Sequence, residues 1–331
     1  MPSSAVTPPV AVTPPVAVTP WWRNRRLMPW LVQGITGLVV LVVVAFLVGN
    51  LVRNLTNAGL LLSWSWLHNP AGFDLSETLL PYNAALPYWR ALLAGLVNTL
   101  RVVAAGLVGA TLLGTLIGVS SFSSNGLLRR LGRAYVELIR NIPLLLQLVF
   151  WYFVVFLALP GGEQAIQLPG VVLAKSGLFL GRPELVNGVW HGQLRLTVEF
   201  GALLTGLVIY TAAFIAEVVR GGVASVPNGQ WEAARSLGLT PLQTLKRIVL
   251  PQALRVIVPG LNSQYISLAK NSSLAVACGY TDLYSVAETT LNQTGRAVEV
   301  VLILLGSYLV IDLLISAVMN GVNAWVQIQE R

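Results

Sequence analysis

The sequence predicts an all-α membrane protein with six transmembrane helices and one polar, two-helix elbow held outside the lipid. Three observations predict it. Hydrophobic residues make up 55% of the 331 positions and charged residues only 10%, with a mean hydropathy of +0.71; soluble domains carry about 25% charged residues. The apolar residues come in long runs rather than in strict alternation, which selects helical spans over a β-barrel. The 21 Lys and Arg residues are also unevenly placed. With the amino terminus inside, 13 fall on segments read as cytoplasmic and 6 on external ones, with Arg101 and Lys270 inside helices. That bias follows the positive-inside rule and puts both termini and the elbow in the cytoplasm. The +8 net charge then reflects basic loops rather than a nucleic-acid surface. One cysteine, Cys278, and two histidines, His68 and His191, leave no disulfide and no metal cluster to build.

Residues 5–20 repeat Ala-Val-Thr-Pro-Pro-Val. Such a segment favours polyproline geometry and cannot form a core, so residues 1–26 read as a disordered tail. It ends in an aromatic and basic membrane anchor, Trp21, Trp22, Arg23, Arg25 and Arg26. The run 27–52 is uncharged and long enough to span a bilayer, and no small-residue cleavage site ends it. It is read as a retained first helix. Residues 53–88 form an external loop lying partly at the interface. The second helix covers 89–120, with Gly95, Gly106, Gly109, Gly114 and Gly118 suited to close packing. A cytoplasmic turn at 121–133 leads to a third helix at 135–159. A second external loop at 160–196 precedes the fourth helix at 197–219. The fifth and sixth helices follow at 256–281 and 300–328.

The elbow occupies residues 225–251. Residues 230–237 suit a first short helix, and Gly238 is placed to stop it, because glycine takes the left-handed conformation cheaply. Thr240 offers an N-cap, Pro241 fits the first helical position, and Gln243 completes a Thr-x-x-Gln capping box. The second helix runs to about Leu250, where Pro251 forces a new start.

The elbow also carries a spaced pattern: Glu232-Ala233-Ala234, three residues, Gly238, nine residues, then Ile248-Val249-Leu250-Pro251. This resembles the signature of membrane subunits of ATP-binding cassette importers. Further matches are similar to polar and general L-amino-acid permeases. They include Gly95 to Leu100, Tyr135 to Pro143, Ala216 to Gly222, and Lys270-Asn271-Ser272-Ser273-Leu274-Ala275-Val276-Ala277. The resemblance covers about residues 70–325 and leaves the Pro-rich tail outside. It implies a five-helix importer-permease core within 89–328, preceded by an additional helix, in a bacterial inner membrane. It also implies a pair of membrane subunits with a related but distinct second chain, ABC ATPase subunits, an external substrate-binding protein and an amino-acid substrate. Glu232, Ala233, Ala234, Gly238, Ile248, Leu250 and Pro251 would then couple to the ATPase. An amphipathic surface helix and a DNA-reading helix-turn-helix are the competing readings of the same stretch. The second is disfavoured because the elbow is tethered at both ends close to lipid.

The chain is not expected to be an enzyme. A phosphate-binding loop needs Gly-x4-Gly-Lys-Ser/Thr, whereas the only Lys-Ser pair, Lys175-Ser176, follows Ala174 in an external loop. ATP and Mg therefore belong to a partner, and this chain needs no cofactor of its own. The alternative is a secondary transporter or channel that works without ATP. That alternative calls for an inverted repeat, and the sequence has no convincing one.

Arg101, Lys270 and Asp312 lie within apolar helices, where ionisable groups mark function or pairing. If Pro259-Gly260 breaks the fifth helix, Lys270 sits about 17 Å in, near the midplane, with Asn271, Ser272 and Ser273 around it. This set, with Asn98, is the candidate site for a substrate's α-carboxylate. An ion pair of Lys270 with Asp312, or a snorkelling lysine, is the structural alternative. Arg101 is assigned to helix packing or the interface, and Glu217 and Cys278 to structure.

Overall fold

The computed structural model describes residues 28–57, 59, 62–186 and 188–327. The Pro-rich tail, the Trp-Arg anchor and the last four residues lie outside them. The chain divides into two units between Leu62 and Ser63. The first holds helix α1, Met28–Asn57, which has no buried residue. A helix apolar on every side is at home only in lipid. It continues past the uncharged run, through Arg53 to Asn57.

The second unit is a helical bundle with a small sheet at one end. Its first long helix, α2 (Tyr88–Ser120), packs along α5 (Val198–Ala224). A Cβ added at Gly109 would lie 2.8 Å from Val208, at Gly114 2.7 Å from Ile215, and at Gly118 2.7 Å from Val219. The partner numbers rise together, so the two helices run parallel at backbone-touching range. Ala110, fully buried, extends the same small-residue row at spacing four.

Because α2 and α5 start at the same end, the chain between them must return. It does so as a bent pair: α3 (Gly126–Arg140), then α4 (Leu144–Val149) running into π-type turns at Phe150–Phe156, at 104° to α3. This corrects the expected single helix at 135–159. Asn125 caps α3 by accepting from the Leu127 and Leu128 amides, ten residues before the expected start. Pro143 then breaks it, since proline cannot donate and drives Ile142 off the helical region. Gln147 reaches back across the break, donating to the Ile139 and Ile142 carbonyls at 3.0 Å.

The loop at 160–196 is a second correction, because it is not structureless. Strands β1 (Ile166–Leu168), β2 (Val171–Ala174), β3 (Gly177–Leu180) and β6 (Leu194–Leu196) form an antiparallel sheet in that order, and β4 (Glu184–Val186) pairs with β5 (Val189–His191). Phe179, Val172, Ala174 and Trp190 make its core. Lys175-Ser176 is the two-residue hairpin between β2 and β3.

After the elbow, α8 (Leu250–Asn271) runs antiparallel to α5, with Gly222 against Ile257 and Gly260 against Val218. The break expected at Pro259-Gly260 does not occur; α8 passes through Pro259. A 3-10 segment at Ser272–Cys278 stops at Gly279, whose φ is +71°. Asp282 then caps α9 (Leu283–Thr294), a helix absent from the sequence reading, and α10 (Ala297–Val326) closes the bundle. Among the described residues, α1, α2, α5 and α10 are long and apolar enough to cross a membrane, and the bent pair makes a fifth if taken as one span. The 22-residue α8 carries Gln252, Arg255, Asn262, Gln264 and Lys270 and is not among them.

Candidate functional site

The elbow folds as its residues direct. Helix α6 (Asn228–Ser236) ends at Gly238, which takes φ +72° while its own amide donates to the Arg235 carbonyl and that of Leu239 to the Ala234 carbonyl. The capping box forms: Thr240 N donates to Gln243 Oε1 at 2.9 Å and Gln243 N to the Thr240 hydroxyl at 3.4 Å. Helix α7 (Pro241–Thr244) does not restart at Pro251. It loosens into π-type turns at Leu245–Val249 and flows into α8. Proline's missing amide is absorbed by that wider register instead of by a break.

The exposed face differs from the one the pattern implied. Ala234 is fully buried in its own subunit, and Trp231 packs with Val226 and Val249 in the core beneath. Glu232, Ala233 and Gly238 are exposed, and Leu237 and Leu242 are 77% and 74% exposed on either side of the glycine corner. Of the remaining signature residues, Leu250 and Pro251 lie at the start of α8 and Ile248 in the π-type turns. The tip is thus two bare leucines on a rigid turn, and neither leucine stands out in the spaced pattern.

Lys270 lies one residue from the end of α8, yet its Nζ is 3.5 Å from Asp312 Oδ2. Asp312 is the middle of α10, about 22 Å from either end. The lysine is therefore level with the centre of that helix without any break at Pro259. Its side chain is 61% exposed, while the other oxygen of Asp312 is buried with no partner among the described residues. Of its neighbours, Ser273 donates to the Lys270 carbonyl and the buried Ser272 to that of Ala269. Asn271 completes the turn.

Asn98 is elsewhere. Fully buried in α2, it donates to the carbonyls of Glu77 at 2.7 Å and Thr281 at 2.8 Å, and its own oxygen has no partner. It belongs to a knot around Glu77, a residue the sequence reading passed over. The Glu77 carboxylate pairs with Arg101 and accepts from the Thr197 hydroxyl, while Arg101 stacks 4.2 Å over Phe200. One loop residue so ties together the first half of α2, the start of α5 and the turn before α9. Beside it, Tyr82 donates to the Phe73 carbonyl at 2.9 Å; burial, and then the Asp74 carboxylate, push its phenol upward and keep it a neutral donor. A second missed centre is Asp282, which caps the Ser285 amide and accepts from Tyr308. Gly279, Asp282 and Gly295 are stop, cap and stop signals that could have revealed α9. Glu217 pairs with Arg220, and Cys278 is buried packing.

Residues 88–327 match the family described as binding-protein-dependent transport system inner membrane components. The chain belongs to that family. It is 36% identical to the general L-amino acid transport system permease protein AapQ of Rhizobium johnstonii, covering 85% of this chain and 87% of that one. It is 34% identical to the glutamate/glutamine/aspartate/asparagine transport system permease protein BztB of Rhodobacter capsulatus, covering 91% and 94%. The bundle resembles the crystal structure of an amino acid ABC transporter with histidines (TM-score 0.55, 26% identity, 72% of this chain and 94% of that one). It shares its fold with an inward-facing methionine ABC transporter, MetNI (TM-score 0.53, 21% identity, 72% and 97%). As a family member with several apolar helices, the chain is an integral inner membrane protein.

Proposed function

We propose that this chain is the permease subunit of an ATP-driven amino-acid importer, and that the elbow is where a separate ATPase acts on it. The observation that carries the reading is the elbow tip. Leu237 and Leu242 are bare of any cover around a left-handed Gly238, on a turn locked by a capping box and seated on the core through Ala234 and Trp231. Two exposed leucines on a rigid support are what a groove on a partner would take up. The rigid support would then pass the partner's movement into α5 and α8 instead of dissipating it.

On this reading six helices span the membrane, with α8 the fifth and α1 an addition to a five-helix core; the termini and elbow face the cytoplasm. The partner ATPase binds ATP and Mg. A related, distinct permease chain and an external binding protein complete the assembly. Lys270, with Asn271 and Ser273, would meet the substrate's α-carboxylate, the exposed ammonium exchanging Asp312 for the ligand. The names of the relatives support an amino-acid cargo.

Proteoliposomes carrying this chain and its co-purified membrane partner should take up amino acid only when the ATPase and internal ATP are present. Uptake by the membrane chains alone, without ATP, would overturn the reading in favour of a secondary transporter or channel. Mass spectrometry of the co-purified chains identifies the second permease and the ATPase.

A further inference from the structure

A cleft of about 780 Å³ opens at the elbow end of the bundle, among α2, α3 and α5. Arg133, Glu137, Arg140, Glu217 and Arg220 line it beside Phe214. Not all of these charges are spent on one another. Glu217 is held by Arg220, one turn along α5. Arg140 stacks 5.0 Å from the Phe214 ring centre. Among the described residues, no ion pair engages Arg133, Glu137 or Arg140. Arg133 and Glu137 are left without an ion pair in this cavity, and Arg140, stacked on Phe214 and close enough to act on Glu217, has no ion pair of its own.

Helix α3 decides what reaches that cavity. Leu127, Leu131, Ala134 and Leu138 fall at i, i+4, i+7 and i+11 and are all exposed, an apolar stripe fit to meet lipid. At 3.6 residues per turn, Arg129, Arg133 and Arg140 fall on the side away from that stripe and Glu137 on the flank between the two. The cleft therefore opens away from the lipid-facing stripe and is suited to a water-borne ligand rather than a lipid headgroup.

We propose that the cleft is a second station for a zwitterionic α-amino acid. Arg133 and Arg140 take the α-carboxylate, Glu137 takes the α-ammonium, and Phe214 supplies an apolar wall. A simple anion would meet Glu137 and Glu217, and a simple cation would meet the arginines; a ligand bearing both signs finds a partner for each end in Arg133, Arg140 and Glu137. A cavity of this volume leaves the amino-acid side chain room and reads little of it. The proposal rests on the reading of the chain as an amino-acid permease and names the chemistry by which its cargo is held near the exit.

The test uses the whole purified transporter in nanodiscs, without its external binding protein. Three probes compete: L-glutamine, L-glutaminamide, which lacks the carboxylate, and glutaramate, which lacks the ammonium. Arg133→Gln and Arg140→Gln should each weaken L-glutamine by about tenfold, the loss of a charge-assisted hydrogen bond, and leave L-glutaminamide unchanged. Glu137→Gln should weaken L-glutamine similarly and spare glutaramate. Lys175→Gln, on the sheet hairpin, should bind all three as wild type does. Equal losses across the three probes, or no loss in any cleft variant, would overturn the proposal. Uptake by the wild type separates the two readings: if the wild type transports with ATP and the cleft variants bind normally, only the cleft assignment fails.

Discussion

Removing the Glu77 carboxylate should cost this protein more stability than any other single change in its loops. Glu77 and Arg101 side chains are 10% and 14% exposed, and the guanidinium has no second carboxylate among the described residues. Glu77→Ala strands Arg101 over the Phe200 ring, and frees the Thr197 hydroxyl and amide that the carboxylate had accepted from. Breaking a buried pair in this way costs about 3–5 kcal/mol, because the remaining charge keeps its desolvation penalty and loses its compensation. For a domain of this size that amounts to a fall in Tm on the order of 10 °C. Thermal unfolding of the detergent-solubilised protein, followed by fluorescence-detected size exclusion, measures it. The double variant Glu77→Ala/Arg101→Met removes the stranded cation and should recover a large part of the loss. The reasoning is refuted if Glu77→Ala melts within about 1 °C of wild type, or if the double variant is no better than the single one.

Other changes test other parts of the molecule. Gly238→Val forces a β-branched residue to φ +72°, a strain of about 1–2 kcal/mol, and should leave ATPase activity but abolish coupled uptake; normal uptake would remove the elbow's proposed role. Gly114→Val places a side chain 2.7 Å from Ile215 and should part α2 from α5, sharply lowering the yield of folded protein, whereas Gly34→Ala meets open space and should be silent in the same expression assay. Lys270→Ala should reduce substrate-stimulated transport more than assembly. If Asp312→Ala in the same chain restores uptake, Lys270 is only a counter-ion and the carboxylate role is lost.

Much of the fold was legible because it is written in local chemistry. The Gly238 corner, the Thr240–Gln243 box and the α2 glycines each act through neighbours in sequence or through absent volume, so their consequences can be read one residue at a time. Where the reading failed, the deciding partner was far along the chain. Pro259 gave a local reason for a break, but α8 runs unbroken through it, packed with Gly260 on Val218 and Gly222 on Ile257. Ala234 is among the residues that the resemblance sets against the ATPase, and it is buried because Trp231 and the core beneath α6 claim that side. The strands at 166–196 were hidden by short runs whose alternation spans only three or four residues.

The sequence by itself determined that the chain lies in a membrane and where its polar elbow turns. Hydrophobicity, capping and glycine conformation are properties of a few adjacent residues. Only the tertiary structure decided which charges meet: Glu77 with Arg101, Lys270 with Asp312 at the middle of α10, and Arg133, Glu137 and Arg140 gathered around one cleft without an ion pair among the described residues. Such pairings depend on the relative depth and direction of helices distant in sequence, which side-chain volume at the α2–α5 contact sets and no local pattern encodes.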